Sequence, residues 1–275
     1  MGTASPAEQA LRDGNPLQAL KLLQEEVRGK SADPKLRVFL FQLLAVLGQW
    51  ERALNQLEVA ATLDPATLAM AQAYREAVRC EVLRAHVFEG KKAPMVFGEP
   101  EPWLAFLIES LLLTGRGEAA HAETLRTKAF EEAPASAGTV DGRPFEWIAD
   151  ADMRLGPVLE AVINGRYYWV PFARLSRIVI EAPVDLRDVV WTPAHLMLEN
   201  GGEAFALVPT RYPGTEKLED GDLLLARRTA WEERSPDFFC GVGQRVLSTD
   251  GGEMSLMDVR DICFGDSPPT DEAAP

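Results

Sequence analysis

Three cysteines in 275 residues, Cys80, Cys240 and Cys263, are odd in number and far apart, and no Cys-x-x-Cys pair is present. That excludes a disulfide framework and a zinc ribbon, and the three are expected as buried structural thiols. Histidine is as scarce: His86, His121 and His195 show no His-x-x-x-His spacing, so no metal site is expected and each ring is read as structural. No Gly-x-Ser-x-Gly elbow, phosphate loop or kinase signature occurs. Gly241-Val242-Gly243 lacks the third glycine and the following helix of a dinucleotide fingerprint, and is read as a strand-end or close-packing feature. No apolar run approaches the roughly 18 residues of a membrane span. Positive charge is in deficit, giving a formal net charge of −14, which argues against a nucleic-acid partner. The acidity lies mostly in the second half, with 15 Lys/Arg against 18 Asp/Glu before residue 135 and 13 against 24 from there on. The opening residues Met1 to Pro6 lack the basic and apolar regions of a secretory leader, so a cytoplasmic location is expected. No cofactor, metal, nucleic acid or membrane is therefore expected.

What is present is a repeat. Gly14 to Leu23 and Gly48 to Leu57 carry one pattern twice, with Gly14/Gly48, Ala19/Ala53, Leu20/Leu54 and Leu23/Leu57 each 34 positions apart. That is the period of a tetratricopeptide helix pair, a unit that stacks into curved, protein-binding surfaces. Helical apolar stripes such as Leu36, Leu40, Leu43 and Leu47 run through residues 5–134, broken at Asp13-Gly14-Asn15-Pro16, Ala32-Asp33-Pro34, Asp64-Pro65 and Glu89-Gly90. A partial copy around Gly115 lies 67 residues after Gly48. Six or seven helices are expected, with an atypical middle pair in 66–90 and the connection that follows.

Residues 135–145 have the composition of a linker. Beyond them the texture changes. A short helix is expected at Gly156–Asn164, and strands at Tyr167–Pro171, Ile178–Ile180, Ala204–Val208, Leu223–Ala226, Gln244–Leu247 and Arg260–Phe264. Asp150-Ala151-Asp152 is expected to open a helix, and Arg227-Arg228 to form a salt-bridged edge. The fold class is thus multidomain α+β: a tetratricopeptide-like helical domain (5–134), a linker (135–145), a small C-terminal α/β domain with a mainly antiparallel sheet or barrel (146–265), and an acidic tail (266–275) expected to be disordered.

Four of the six tryptophans, Trp147, Trp169, Trp191 and Trp231, lie in the second half beside Tyr167, Tyr168 and Tyr212. Large aromatics serve β cores and also anchor interfaces, so both readings stand.

The segments Asp152-Met153-Arg154-Leu155-Gly156-Pro157-Val158-Leu159-Glu160, Tyr168-Trp169-Val170-Pro171-Phe172, Leu186-Arg187-Asp188-Val189-Val190-Trp191-Thr192-Pro193-Ala194 and Thr210-Arg211-Tyr212-Pro213-Gly214, extended by Gly243-Gln244-Arg245 and Val259 to Phe264, together resemble the ImpE/TagJ family of type VI secretion accessory proteins. The resemblance covers nearly the whole chain and rests on the order and spacing of these segments. It implies a noncatalytic cytoplasmic adaptor that binds the N-terminal segment of the small contractile-sheath subunit (TssB-type) and associates with the ClpV-type AAA+ unfoldase. On that reading Tyr167, Trp169, Trp191 and Tyr212 would supply apolar anchors, and Arg154, Arg187 and Arg211 polar contacts. The competing reading gives Arg154, Gly156, Pro157, Arg211 and Gly214 to the domain's own turns and core. Two other functions stay open at this point: an enzyme with an unrecognised C-terminal site, and a general peptide-binding scaffold.

Overall fold

The two repeat glycines end two helices in the same way. In the computed structural model, which describes residues 4–265, Gly14 and Gly48 adopt φ of 75° and 64°. The Gly14 N–H donates to the Leu11 carbonyl and the Asn15 N–H to Ala10; Gly48 and Gln49 make the equivalent bonds to Ala45 and Leu44. This is a Schellman close, which needs a left-handed residue and so favours glycine. The third copy of the turn centres on Gly117, with φ of 81° and the same pair of bonds, two residues beyond the expected Gly115, which is the last residue of its helix.

Seven helices precede residue 134: α1 (Pro6–Arg12), α2 (Pro16–Gly29), α3 (Pro34–Val46), α4 (Trp50–Leu63), α5 (Leu68–Phe88), α6 (Pro102–Gly115) and α7 (Ala119–Glu132). Proline opens α1, α2, α3 and α6, where its missing N–H costs nothing, and Ser5, Asn15 and Asp33 cap the first three with side-chain oxygens. The atypical middle is a single 21-residue helix, α5, without a partner helix of its own. Pro94, Gly98 and Pro100 forbid one, and the chain instead runs out as strand β1 (Met95–Val96).

Most of the remainder forms an open nine-stranded sheet in the order β1-β6-β5-β9-β8-β7-β14-β2-β3, antiparallel except where β1 joins β6. Its strands are β2 (Gly138–Val140), β3 (Arg143–Phe145), β5 (Val158–Ile163), β6 (Arg166–Pro171), β7 (Leu175–Ile180), β8 (Trp191–Leu198), β9 (Glu203–Pro209) and β14 (Asp261–Phe264). β4 (Ile148–Asp150), β12 (Val246–Thr249) and β13 (Gly252–Ser255) form a second sheet, and β10 (Thr229–Ser235) and β11 (Phe238–Gly243) a hairpin. The sheet does not close, so the barrel alternative is not realised.

Three local expectations are corrected. Residues 135–145 are not a bare linker but contribute β2 and β3, joined by a tight turn with Asp141 and Gly142 at φ of 48° and 77°. Turn and linker compositions are alike, and the pairing of β2 with distant β14 decides between them. Gly156–Asn164 holds β5, not a helix: Val-Leu-Glu-Ala-Val-Ile is buried at all six positions, a pattern whose period does not separate strand from helix. Leu223–Ala226 is not a strand: Leu223 and Leu224 end a one-turn helix, α8 (Gly221–Leu224), in which Asp220 caps the Asp222 and Leu223 N–H groups, and Leu225 and Ala226 form the turn after it. The acidic tail, 266–275, lies outside the described residues.

Residues 5–134 and 146–265 are helical and strand-rich respectively, yet their cores cross the boundary. One core packs α1 to α5 around Val190, Trp191, Leu224 and Leu225; another packs α5, α6 and α7 onto β5 and β6. Half of α3, Leu40–Val46, is buried on every side, since α2 and α4 flank it and the short turn Leu186–Val189 packs against it. The repeat glycines are docking points too: Gly221 meets the Gly14 carbonyl, and the Glu216 side chain lies against Gly48. All three cysteines are buried and unpaired, and among the described residues no helix is long and apolar enough to cross a membrane.

Candidate functional site: a buried polar frame and two cavities

A charged residue in the middle of a fully buried strand must find partners, because an isolated buried charge is costly. Glu160, the third residue of β5, accepts the Arg84 Nε and Nη2 groups of α5 at 2.7 and 3.0 Å, the Tyr167 hydroxyl at 2.5 Å, and Arg245. Burial by itself would raise this carboxyl, but Arg84 and Arg245 outweigh it and hold it at about 2. Arg245 also binds Asp150, whose carboxyl burial raises to about 6 against the pull of that arginine. Tyr212 donates to Asp150 at 3.0 Å and accepts the Val246 N–H at 3.0 Å. Asp150 and Asp152 thus open no helix: Asp150 ends β4, and Asp152 forks with Arg154 and accepts the Gly241 N–H at 2.8 Å. Gly241 has to be glycine, for a Cβ there would stand 2.2 Å from the Tyr212 ring.

This network ties the helical region to the sheet. Arg84 of α5 donates to the Arg211 carbonyl, and Arg211 in turn donates to the carbonyls of Val46 in α3 and Leu224 in α8 at 2.8 and 2.6 Å. Trp191, wholly buried at the start of β8, lies 6.0 Å from the Trp50 ring and 5.6 Å from Tyr74, and its indole N–H donates to Glu81 at 3.1 Å. The Trp169 indole donates to the Tyr167 hydroxyl at 2.8 Å.

Five of the seven residues singled out in the sequence, Tyr167, Trp169, Trp191, Arg211 and Tyr212, therefore sit inside this frame. Arg154 and Arg187 do not share one place: each reaches a different cavity. The cavity of about 740 Å³ is a groove across α1, α3 and the start of α5, closed on one side by residues 184–187. Leu11, Leu36, Phe39 and Met70, all half-buried, give it an apolar floor, and Val184 stands 87% exposed at its edge. Arg187, 4.9 Å above the Tyr74 ring and 2.7 Å from Asp185, joins Arg12, Lys35, Glu8 and Asp64 as its polar margin. The second cavity, about 390 Å³, is polar and includes Arg154.

Sequence reading missed Arg84, Asp150, Glu160 and Arg245 as a frame. The available signal was a single Glu inside the apolar run Val158–Ile163. The groove's aliphatic residues carried none. Arg227 and Arg228 do form the expected salt-bridged edge, with Asp222 and Asp220. Among the described residues no cluster of His, Cys, Asp and Glu could hold a metal ion.

These features define a class: a tetratricopeptide-like helical platform fused through a buried ionic frame to an open antiparallel sheet, with a composite groove at the seam. The family model described as ImpE protein matches residues 142–263. A Pseudomonas aeruginosa protein named type VI secretion system accessory component TagJ is 48% identical over 258 residues, covering 94% of this chain and 90% of that one. The crystal structure of protein VPA1032 from Vibrio parahaemolyticus, 25% identical, superposes with a TM-score of 0.86 over 95% of this chain and 98% of its own. The chain belongs to the ImpE/TagJ family.

Proposed function

We propose that this chain is a noncatalytic, cytoplasmic adaptor of a type VI secretion system that holds the N-terminal segment of the small contractile-sheath subunit and associates with the ClpV-type unfoldase. The name of its 48% identical relative supports the secretion role. The observation that carries the binding mode is the groove, in which a helical platform and the ImpE-matching region meet around an apolar floor. An amphipathic helix fits such a surface by laying its apolar face on Leu36, Phe39 and Met70 and its polar flanks toward Arg187 and Asp185. Tyr167, Trp169, Trp191, Arg211 and Tyr212 serve binding by fixing the two walls relative to each other, Arg187 by direct contact, and Arg154 at the second cavity.

Titration of the full chain with a peptide of the sheath subunit's N-terminal segment, beside a scrambled peptide of equal composition, tests the reading. Saturable binding of the native order alone is the expected result. Equal binding of both, or of neither, contradicts it.

A further inference from the structure

The chain leaves the sheet beside a third cavity. The Gly265 N–H donates to the Ala137 carbonyl at 2.9 Å, and Gly265, at φ of 70°, turns the chain out of the β14 ladder. Ala135, two residues from that bond, is on the cavity's rim. Pro157 is on it too, and its carbonyl accepts the N–H of Phe172, whose ring lies 6.0 Å from that of Phe264. The cavity, of about 380 Å³, is mainly apolar, with Phe130 of α7, Pro134, Trp147 and Met153 in its lining, and Trp147 stands 40% exposed. Strand β4 adds a free edge. Asp150 sends its N–H outward to Gly156 and Ala151 sends its own inward to Val246, so the alternation of an antiparallel ladder turns the Ile148 N–H outward as well, to the cavity side.

Two polar groups along this path lack partners among the described residues. The Ser136 Oγ, between Ala135 and Ala137, is buried with no hydrogen bond. Arg126, one turn before Phe130 on α7, is 6% exposed with its guanidinium 3.7 Å from the centre of the Phe238 ring. It makes no hydrogen bond or ion pair there, and Glu123 acts on it from beyond ion-pair distance.

Ten residues follow Gly265: Asp-Ser-Pro-Pro-Thr-Asp-Glu-Ala-Ala-Pro. Ser267 and Pro268 each precede a proline, which favours extended, polyproline-type backbone, and backbone of that kind seats on aromatic-lined grooves. From Gly265 to Pro268 the chain spans up to about 10 Å, and from Ala137 to Ala135 at most about 7 Å, so the prolines reach the cavity. Asp271 and Glu272 then stand about 9–12 Å further on, against about 10 Å of helix from the rim residue Ala133 back to Arg126. We propose that residues 266–275 fold back over this cavity, with Pro268 and Pro269 against Trp147 and the Asp271-Glu272 pair at Arg126. Attachment at Gly265 supplies the effective concentration that so short a segment needs. The cavity is separate from the apolar groove, and its occupation does not depend on the sheath reading.

The test uses the full chain carrying 5-fluorotryptophan, with a soluble gadolinium chelate as the probe of exposure and two lines assigned by Trp147→Phe and Trp231→Phe. Trp147 and Trp231 are matched at 40% and 38% exposure, and Trp231 is outside the cavity lining. With the segment docked, the chelate should relax the Trp147 line at most about half as fast as the Trp231 line. Pro268→Ser with Pro269→Ser, and separately Asp271→Asn with Glu272→Gln, should raise the Trp147 rate about twofold and leave the Trp231 rate unchanged. Equal relaxation of the two lines in the parent, or an unmoved Trp147 rate in either variant, would overturn the proposal.

Discussion

The frame around Glu160 and the groove around Phe39 use opposite materials. The frame gathers the residues that look most like interface anchors, Trp169, Trp191, Tyr167, Tyr212 and Arg211, and buries all of them. The groove is made of Leu11, Leu36, Phe39, Met70 and Val184, which in sequence are ordinary apolar positions on helices and in a loop. Tryptophan, tyrosine and arginine suit a binding hot spot because they combine large area with a polar handle. The same properties suit a buried seam between a helical layer and a sheet, where the handle meets a buried partner: the Trp191 indole on Glu81, the Tyr167 hydroxyl on Glu160, the Tyr212 hydroxyl on Asp150. Composition alone does not separate the two uses. Burial does.

Breaking the frame should have the largest effect. Glu160→Ala strips Arg84 and Arg245 of their shared carboxylate in a fully buried site and should cost about 3–5 kcal/mol of stability, measured by urea denaturation. Trp191→Ala empties space between Trp50, Tyr74 and Glu81 and should cost about 3–5 kcal/mol. If Trp191→Ala instead kept its stability and lost only peptide affinity, the frame and the groove would not be distinct.

Acid titration sharpens the comparison, because two frame carboxylates have opposite signs. Glu160, held at about 2, contributes stability that is complete above its ordinary value of 4.5 and is lost as the pH falls toward 2. Asp150, raised to about 6 from 3.8, works the other way: as the pH falls from above 6 to below 4, its protonation favours the folded state. Denaturation midpoints followed from pH 7 to pH 2 should therefore show an Asp150 contribution that offsets acid loss between pH 6 and 4, followed by a fall below 4.5. Asp150→Asn should remove the first feature and keep the second.

The two repeat glycines compare in the same terms on a smaller scale. Gly48→Ala combines a left-handed φ with a 2.6 Å approach to Glu216, whereas at Gly14 the nearest atom is a flexible Asp222 oxygen at 3.2 Å. Thermal melts should place Gly48→Ala about 1–2 kcal/mol below the parent and Gly14→Ala about 1 kcal/mol below it. The smallest stability change, within about 0.5 kcal/mol, is expected for Val184→Glu at the groove's edge.

How much of this was legible in the sequence follows from which forces are local. The helix breaks at Gly14, Asp33-Pro34, Gly48 and Glu89-Gly90 were readable because capping and left-handed turns are decided by neighbouring residues. Asn164 and Gly165 join β5 to β6 with both residues at positive φ, a hairpin that went unread because Gly156–Asn164 was expected as a helix. Strands β2 and β5 were misread because their identity depends on pairing with β14, β6 and β9, which are remote or buried. Of the seven residues chosen from family resemblance, five lie in the buried frame and Arg154 and Arg187 at separate cavities, a division the sequence could not show. Nor could it reveal a groove whose two sides come from Leu36 and Val184, residues brought together only when the 184–189 segment packs on α3.

The central claim is that the buried Trp, Tyr and Arg residues build the frame while the partner segment occupies the groove. One paired measurement addresses it most directly: affinity for the sheath subunit's N-terminal peptide and thermal midpoint, for the parent and for Val184→Glu. The expected result is at least about a tenfold loss of affinity with an unchanged midpoint, a charge having been placed at an apolar contact that the fold itself does not need. Binding as tight as the parent's would contradict it and place the partner elsewhere.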